Sequence, residues 1–148
     1  DAAAFCHEVS PPDLSFVALD EDGVPCFAFG VAACMTPGLF SAWGFGNKYT
    51  TPWCVGMVGS FIREHIIPLC KTKYKARRVE IRSLASRKST HRWIKSLGAR
   101  YEANIPYMGV NGEEFILWSF TAPENCGQLT GPAEMRVEQV HPEHEGLQ

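Results

Sequence analysis

The sequence has no apolar run approaching the 18 or so residues that a membrane-crossing helix needs, so no membrane span is expected. It has no Cys-x-x-Cys pair, and of its five histidines only His141 and His144 are close together, so the usual spacing of a structural zinc site is missing. It contains no internal repeat and no low-complexity segment, which argues against fibrous and disordered classes. Ala2-Ala3-Ala4-Phe5 is too short, and lacks the basic flank, for a secretory signal. What remains is one soluble cytoplasmic domain of 148 residues, long enough to bury a genuine core. The six cysteines are even in number, but Cys26, Cys34, Cys54 and Cys70 lie in apolar company and read as buried thiols of a reducing compartment rather than a disulfide framework.

Charge of one sign is also missing from long stretches. Between Lys71 and Arg100 there are 11 lysines and arginines and a single acid, Glu80; from Tyr101 onward Arg136 stands alone against eight acids. The net charge of −2 conceals this segregation, which bears on partners more than on fold. The basic block 71–100 suits an anionic ligand. Solvated side chains on a strand edge and a helix face account for it equally well, so nucleic acid is a possible but not favoured partner.

The elements follow from periodicity and turn chemistry. Ala2 to Val9 reads as the last turns of a helix stopped by Ser10-Pro11-Pro12. Leu14 to Leu19 and Val24 to Cys34 are strands joined at Asp22-Gly23, and Leu39 to Phe45 is a third strand after Thr36-Pro37-Gly38. Thr50 or Thr51 caps a helix from Pro52 to about Ile67, with proline at its first position, and Pro68 ends or kinks it. Gly56 and Gly59 cost helix propensity there and predict close packing or close approach of a ligand. In the stretch from Arg77 to Leu84, Val79 and Ile81 alternate with Arg78, Glu80 and Arg82, a strand with one apolar and one charged face.

Ser86 to Leu97 is an amphipathic helix that Ser86 or Ser89 can cap. Thr90, Trp93, Ile94 and Leu97 lie on one side, Arg87, Lys88, Arg92 and Lys95 on the other, and Gly98 stops it. Tyr101 to Ile105 and Phe115 to Phe120 form a hairpin with a turn at Asn111-Gly112. Thr121 to Gln148 is rich in proline, glycine and acids and is expected to be an extended or mobile tail beyond a domain of residues 1–120, either free or clamped to the domain or a partner.

Arg92 to Ala99, followed by Tyr101-Glu102, resembles the end of the fourth helix and the start of the sixth strand in the GNAT superfamily of N-acetyltransferases. It is most similar to the divergent branch found in T7-like bacteriophages, and the likeness spans roughly Leu14 to Phe120. The resemblance implies an α/β fold with a mixed, mostly antiparallel sheet and helices on both faces. It also implies an opening strand for which the residues before Leu14 leave no room. The implied activity is acetyl-CoA-dependent N-acetyl transfer to a protein or small amine. The implied alternative is a non-catalytic phage protein in the virion or host cytoplasm that keeps the scaffold and binds a host or virion protein.

In that family acetyl-CoA lies where two neighbouring strands, here those around Trp43 and Ile81, splay apart. The family signature of Arg or Gln, two residues, Gly, one residue, then Gly or Ala is absent from Gly44 to Trp53. Gly44 and Gly46 read first as residues that shape a turn; by resemblance, Gly46, Lys48, Thr50 and Thr51 become the phosphate contacts, in keeping with the unpaired amides of a helix start. A further contact falls on Arg87, where the family often has asparagine, and its proton-donating tyrosine falls on Ile94, which cannot donate.

No catalytic residue is identified. Cys54 and His65 are three helical turns apart, too far for a nucleophile and its base. His91 reads as a surface residue and the tryptophans as core. No metal ligands are expected.

Overall fold

The computed structural model describes residues 2–127. In chain order these form α1 (Ala2–Glu8), a 3-10 turn (Pro12–Leu14), β1 (Ser15–Leu19), β2 (Pro25–Ala33), β3 (Leu39–Gly46) and α2 (Pro52–Phe61). A π-helical turn (Ile62–Ile66), α3 (Ile67–Thr72), β4 (Arg78–Leu84), α4 (Lys88–Ser96), β5 (Arg100–Ile105), β6 (Phe115–Thr121) and a second 3-10 turn (Pro123–Asn125) complete them. The strands make one six-stranded sheet in the order β1-β2-β3-β4-β6-β5. Every pairing is antiparallel except β3 with β4, the two strands joined by the helical crossover α2–α3. This is the mixed, mostly antiparallel α/β architecture expected. Among the described residues no strand precedes β1.

Strand alternation sorts the two faces. Phe29, Val31, Phe40 and Val79 are buried against Cys54, Val58, Ile66 and Cys70 of the α2–α3 layer. Farther along the sheet, Ile94 of α4 is buried with Ala99 and Trp118. On the opposite face Trp43 is paired with Gly30, and its indole nitrogen donates to Ser10 Oγ at 2.9 Å. Ser10 in turn donates to the Cys6 carbonyl at 2.6 Å, which ties the end of α1 to the sheet. A Cβ on Gly30 would stand 2.5 Å from the Leu14 carbonyl and 2.7 Å from the Trp43 ring, so only glycine lets these layers approach.

The charged alternation of β4 has an internal use. Arg78 donates to Glu80 at 2.8 Å and, through both terminal nitrogens, to Glu102 on β5, while Arg82 reaches Glu80 at 3.0 Å. The Ser119 hydroxyl of β6 also donates to Glu102. Part of the basic block is therefore neutralised within the sheet.

Four sequence expectations are refined or corrected by the structure. Of the two outcomes expected of Pro68, ending or kinking the helix, the first does not occur: the helix runs on through α3 to Thr72. Proline lacks an amide donor and its ring presses on the carbonyl four residues back; the backbone answers by widening, so that the Ile67 amide bonds Ile62 five residues back. Neither Ser86 nor Ser89 caps α4: the N-cap position falls on Arg87, which has no side-chain cap bond, so Ser86 lies before the cap and Ser89 within the first turn.

The Asn111-Gly112 turn exists, with Gly112 at φ 85°, but inside a longer loop that includes Tyr107 at φ 57°. Glu113 holds that loop by accepting from the Asn111 amide at 2.9 Å and from its side chain at 3.0 Å. Finally, the start of the expected tail is clamped to the domain. The Ala122 amide bonds the Arg77 carbonyl at 2.8 Å, and buried Asn125 donates to the Lys71 and Ala76 carbonyls, both at 2.9 Å. The rest of the expected tail, 128–148, lies outside the described residues.

Candidate functional site

Parallel strands joined by a crossover normally stay hydrogen-bonded along their common length, but β3 and β4 do so only from Leu39↔Arg78 to Ala42↔Ile81. Beyond that rung each strand keeps its other neighbour. β3 remains on β2 as far as Phe27↔Gly46, and β4 remains on β6 as far as Leu84↔Phe115. The two therefore part between Trp43–Gly46 and Arg82–Leu84, as the resemblance implied, at the end of the sheet from which the chain enters α2 and α4. A cleft of about 1250 Å³ opens there, with apolar walls that include Phe27, Val55, Leu84 and Trp93 and a polar margin that includes Thr50, Thr51, Arg87 and Ser89.

Of the five expected phosphate contacts, Gly46, Thr50, Thr51 and Arg87 all line this cleft. Lys48 does not line it; its ammonium sits over the Tyr49 ring at 5.0 Å. The threonine hydroxyls are already engaged. Thr50 Oγ1 donates to the Cys26 carbonyl at 2.6 Å and accepts from the Asn47 amide at 2.8 Å, and Thr51 Oγ1 caps α2 by accepting from the Cys54 amide at 3.2 Å. The same loop leaves the Lys48 and Thr51 amides without a partner among the described residues. An anion at this helix start would meet backbone donors rather than hydroxyls.

Gly44 and Gly46 lie within β3 rather than in a turn. A Cβ on Gly44 would be 3.1 Å from the Phe27 ring, and one on Gly46 would be 2.8 Å from Thr50 Oγ1. Their absence of side chains lets Phe27 and the Thr50 joint close over the end of the strand. Gly59 meets the expectation of close packing, since its Cβ position is 3.1 Å from Trp93 Nε1, whereas Gly56 faces open space.

Trp93 is a cleft residue that sequence reasoning assigned simply to the core. Its ring meets Phe27 edge-on at 6.0 Å, and its buried N–H has no hydrogen-bond partner among the described residues. Nothing in the sequence separates it from the other tryptophans.

The remaining candidates are accounted for by packing. Ile94 is buried at 2% exposure, so the position of the family's tyrosine supplies no proton. His91 is half-buried rather than a surface residue, with Nε2 3.0 Å from the Leu84 carbonyl and its ring beside Trp118. His65 lies against Phe61, away from any thiol partner in the described contacts. Burial, reinforced by the Cys26 thiol, pushes the Cys54 thiol up to about 11, and burial pushes Cys70 up to about 12. Both thiols therefore rest protonated at neutral pH. On α4, Arg87, Lys88, Arg92 and Lys95 make no ion pair among the described residues. Among those residues no cluster of potential metal ligands occurs, and no helix is long and apolar enough to cross a membrane.

No protein-family model matches the sequence, and no curated protein sequence matches it significantly. Solved structures do match its fold. Ribosomal-protein-S5-alanine acetyltransferase from Vibrio fischeri is 15% identical over 81% of this chain and 67% of its own, with a TM-score of 0.59. Spermidine N-acetyltransferase from Vibrio cholerae is 8% identical over 76% of this chain and 68% of its own, with a TM-score of 0.61. A GNAT-family acetyltransferase from Bacillus anthracis is 12% identical over 72% of this chain and 65% of its own, with a TM-score of 0.57. The chain has the GNAT fold.

Proposed function

We propose that this protein is an acetyl-CoA-dependent N-acetyltransferase acting on an amine of a protein or small molecule. The observation that carries the reading is the parting of β3 and β4 after Ala42 and Ile81, which opens an apolar-walled cleft between two helix starts. Acetyl-CoA fits what lines it. Phe27, Val55, Leu84 and Trp93 suit its slender arm, and Arg87 with the Thr51 amide suits its phosphates. The cofactor supplies an activated acyl thioester. The chain's own part is to hold that group beside the unpaired strand edges, exclude water with the Phe27 and Trp93 rings, and position an incoming neutral amine. Since Ile94 cannot protonate a leaving thiolate, rate enhancement here rests on positioning.

The missing family signature and the buried Ile94 support a second reading, a non-catalytic protein that keeps the scaffold to bind a virion or host partner. Calorimetric titration with acetyl-CoA, paired with thermal melting, tests the first. Saturable binding and a raised melting temperature are expected, followed by acetyl transfer in a panel of polyamines and lysine or free-N-terminus peptides. No heat and no shift at millimolar acetyl-CoA would overturn it. Binding without transfer to any acceptor would favour the scaffold reading.

A further inference from the structure

Cys26 is the second residue of β2 and Cys54 lies in the first turn of α2, and their sulfurs are 2.9 Å apart. We propose that this pair is an oxidation site, closing to an intramolecular disulfide when hydrogen peroxide reaches it. A disulfide needs about 2.05 Å between sulfurs, so the two have to approach by only roughly 0.9 Å. The flanking backbone is already joined. The Thr50 hydroxyl bonds the Cys26 carbonyl and the Cys54 amide bonds Thr51 Oγ1, so the covalent link reinforces an existing corner.

Access distinguishes this pair from an inert buried couple. Cys26 and Cys54 are only 1% and 5% exposed, yet both line a second pocket of about 430 Å³. Its remaining walls are the acidic turn Asp20-Glu21-Asp22, Thr51 and the half-exposed rings of Tyr49 and Trp53. A small neutral oxidant can pass that rim; the three carboxylates oppose anionic glutathione disulfide. Among the described residues, no other cysteine has a second sulfur as a partner.

The chemistry balances with peroxide as the only co-reactant. The Cys54 sulfur, having given up its proton, attacks one peroxide oxygen; the O–O bond breaks, and the departing hydroxide takes up that proton to leave as water. The sulfenic acid so formed on Cys54 is then attacked by the Cys26 sulfur. The S–O bond breaks, the hydroxyl leaves as water with the Cys26 proton, and the S–S bond forms. In sum, two thiols and one peroxide give one disulfide and two waters. Burial of Cys54 makes the first step slow at neutral pH, and the second step fast because the partner is already in contact.

The test uses the reduced full chain carrying C126S, so that the exposed thiol cannot link two molecules. After graded hydrogen peroxide and catalase quenching, the protein is unfolded, alkylated with N-ethylmaleimide and mapped by mass spectrometry. The expected result is loss of about 2 Da, a reductant-sensitive cross-link between the Cys26 and Cys54 peptides, and a melting temperature higher by roughly 5–10 °C. Full alkylation of Cys26 and Cys54 after Cys6 and Cys34 have oxidised, or recovery of Cys54 as sulfinic acid without the cross-link, would overturn the assignment. Adding C54S must abolish the peroxide-dependent rise in melting temperature; the same rise in that variant would also overturn it.

Discussion

The Trp93 indole meets the Phe27 ring edge-on, with centroids 6.0 Å apart, at the place where Gly44 and Gly46 leave the last residues of β3 bare. This contact joins α4 to β2 across the mouth of the parted strands. Trp93→Ala should therefore cost about 3–5 kcal/mol in urea unfolding by opening a cavity between two helices and the sheet. Trp93→Phe keeps most of the ring while removing a buried donor that has no partner, so it should cost far less, within about 1 kcal/mol of wild type. A Phe variant as unstable as the Ala variant would mean that the N–H is satisfied in solution.

Arg87 is the one positively charged side chain among the expected contacts that lines the cleft. If it meets cofactor phosphates, Arg87→Glu should weaken acetyl-CoA binding by about 10-fold or more in calorimetry, with a melting temperature close to wild type because Arg87 makes no ion pair to lose. Unchanged affinity would place the phosphates elsewhere.

The carboxylate of Glu102 is held down to about 2, first by the Arg78 guanidinium and then by the Ser119 hydroxyl. Its unfolded counterpart titrates near 4.3. Because the folded value is the lower one, the contribution of this pair is fully present above the unfolded value and is lost as pH falls from about 4.5 towards 2. Asp13 adds to the same acid loss. Burial alone would raise it, but hydrogen bonds from Lys73 and Tyr74 outweigh burial and leave it below the usual carboxylate range. Chemical denaturation across pH 6 to 2 should show a steeper decline for wild type than for Glu102→Gln; parallel curves would contradict the role given to Arg78.

Asn125 donates one side-chain nitrogen to two backbone carbonyls, those of Lys71 and Ala76, on either side of the connection into β4. Asn125→Ala leaves both acceptors unpaired in a buried place and should destabilise by about 1–3 kcal/mol, read from thermal or urea midpoints. Gly30→Ala should be at least as damaging, about 2–3 kcal/mol, since the added methyl would strike the Leu14 carbonyl and the Trp43 ring and neither can move freely.

Elements with a strong local pattern were legible in the sequence. Alternation fixed β4, the Asp22-Gly23 turn fixed the first hairpin, and Gly98, at φ 99°, stopped α4 where expected. The candidate cleft was legible only through the short resemblance around Leu97-Gly98-Ala99, because the parting of β3 and β4 is a long-range outcome that no local run of residues encodes. Side-chain engagement was equally hidden. Thr50 and Thr51 look like ligand donors in sequence, yet their partners are the Cys26 carbonyl and the Cys54 amide. The contact between Cys26 and Cys54 needs the β2–α2 corner to be folded before the two thiols become neighbours. Pro68 left two outcomes open because a proline either breaks a helix or distorts it locally, and here the turn before it swells.

That swollen turn also sets the phase of everything after it. A π-helical turn takes in one residue more than an α-helical one, so deleting a residue between Ile62 and Ile66 would return the segment to ordinary pitch while Cys70 keeps facing the core. An inserted residue, with no second bulge to absorb it, would instead rotate α3 by about 100° about its axis and misalign the whole connection into β4.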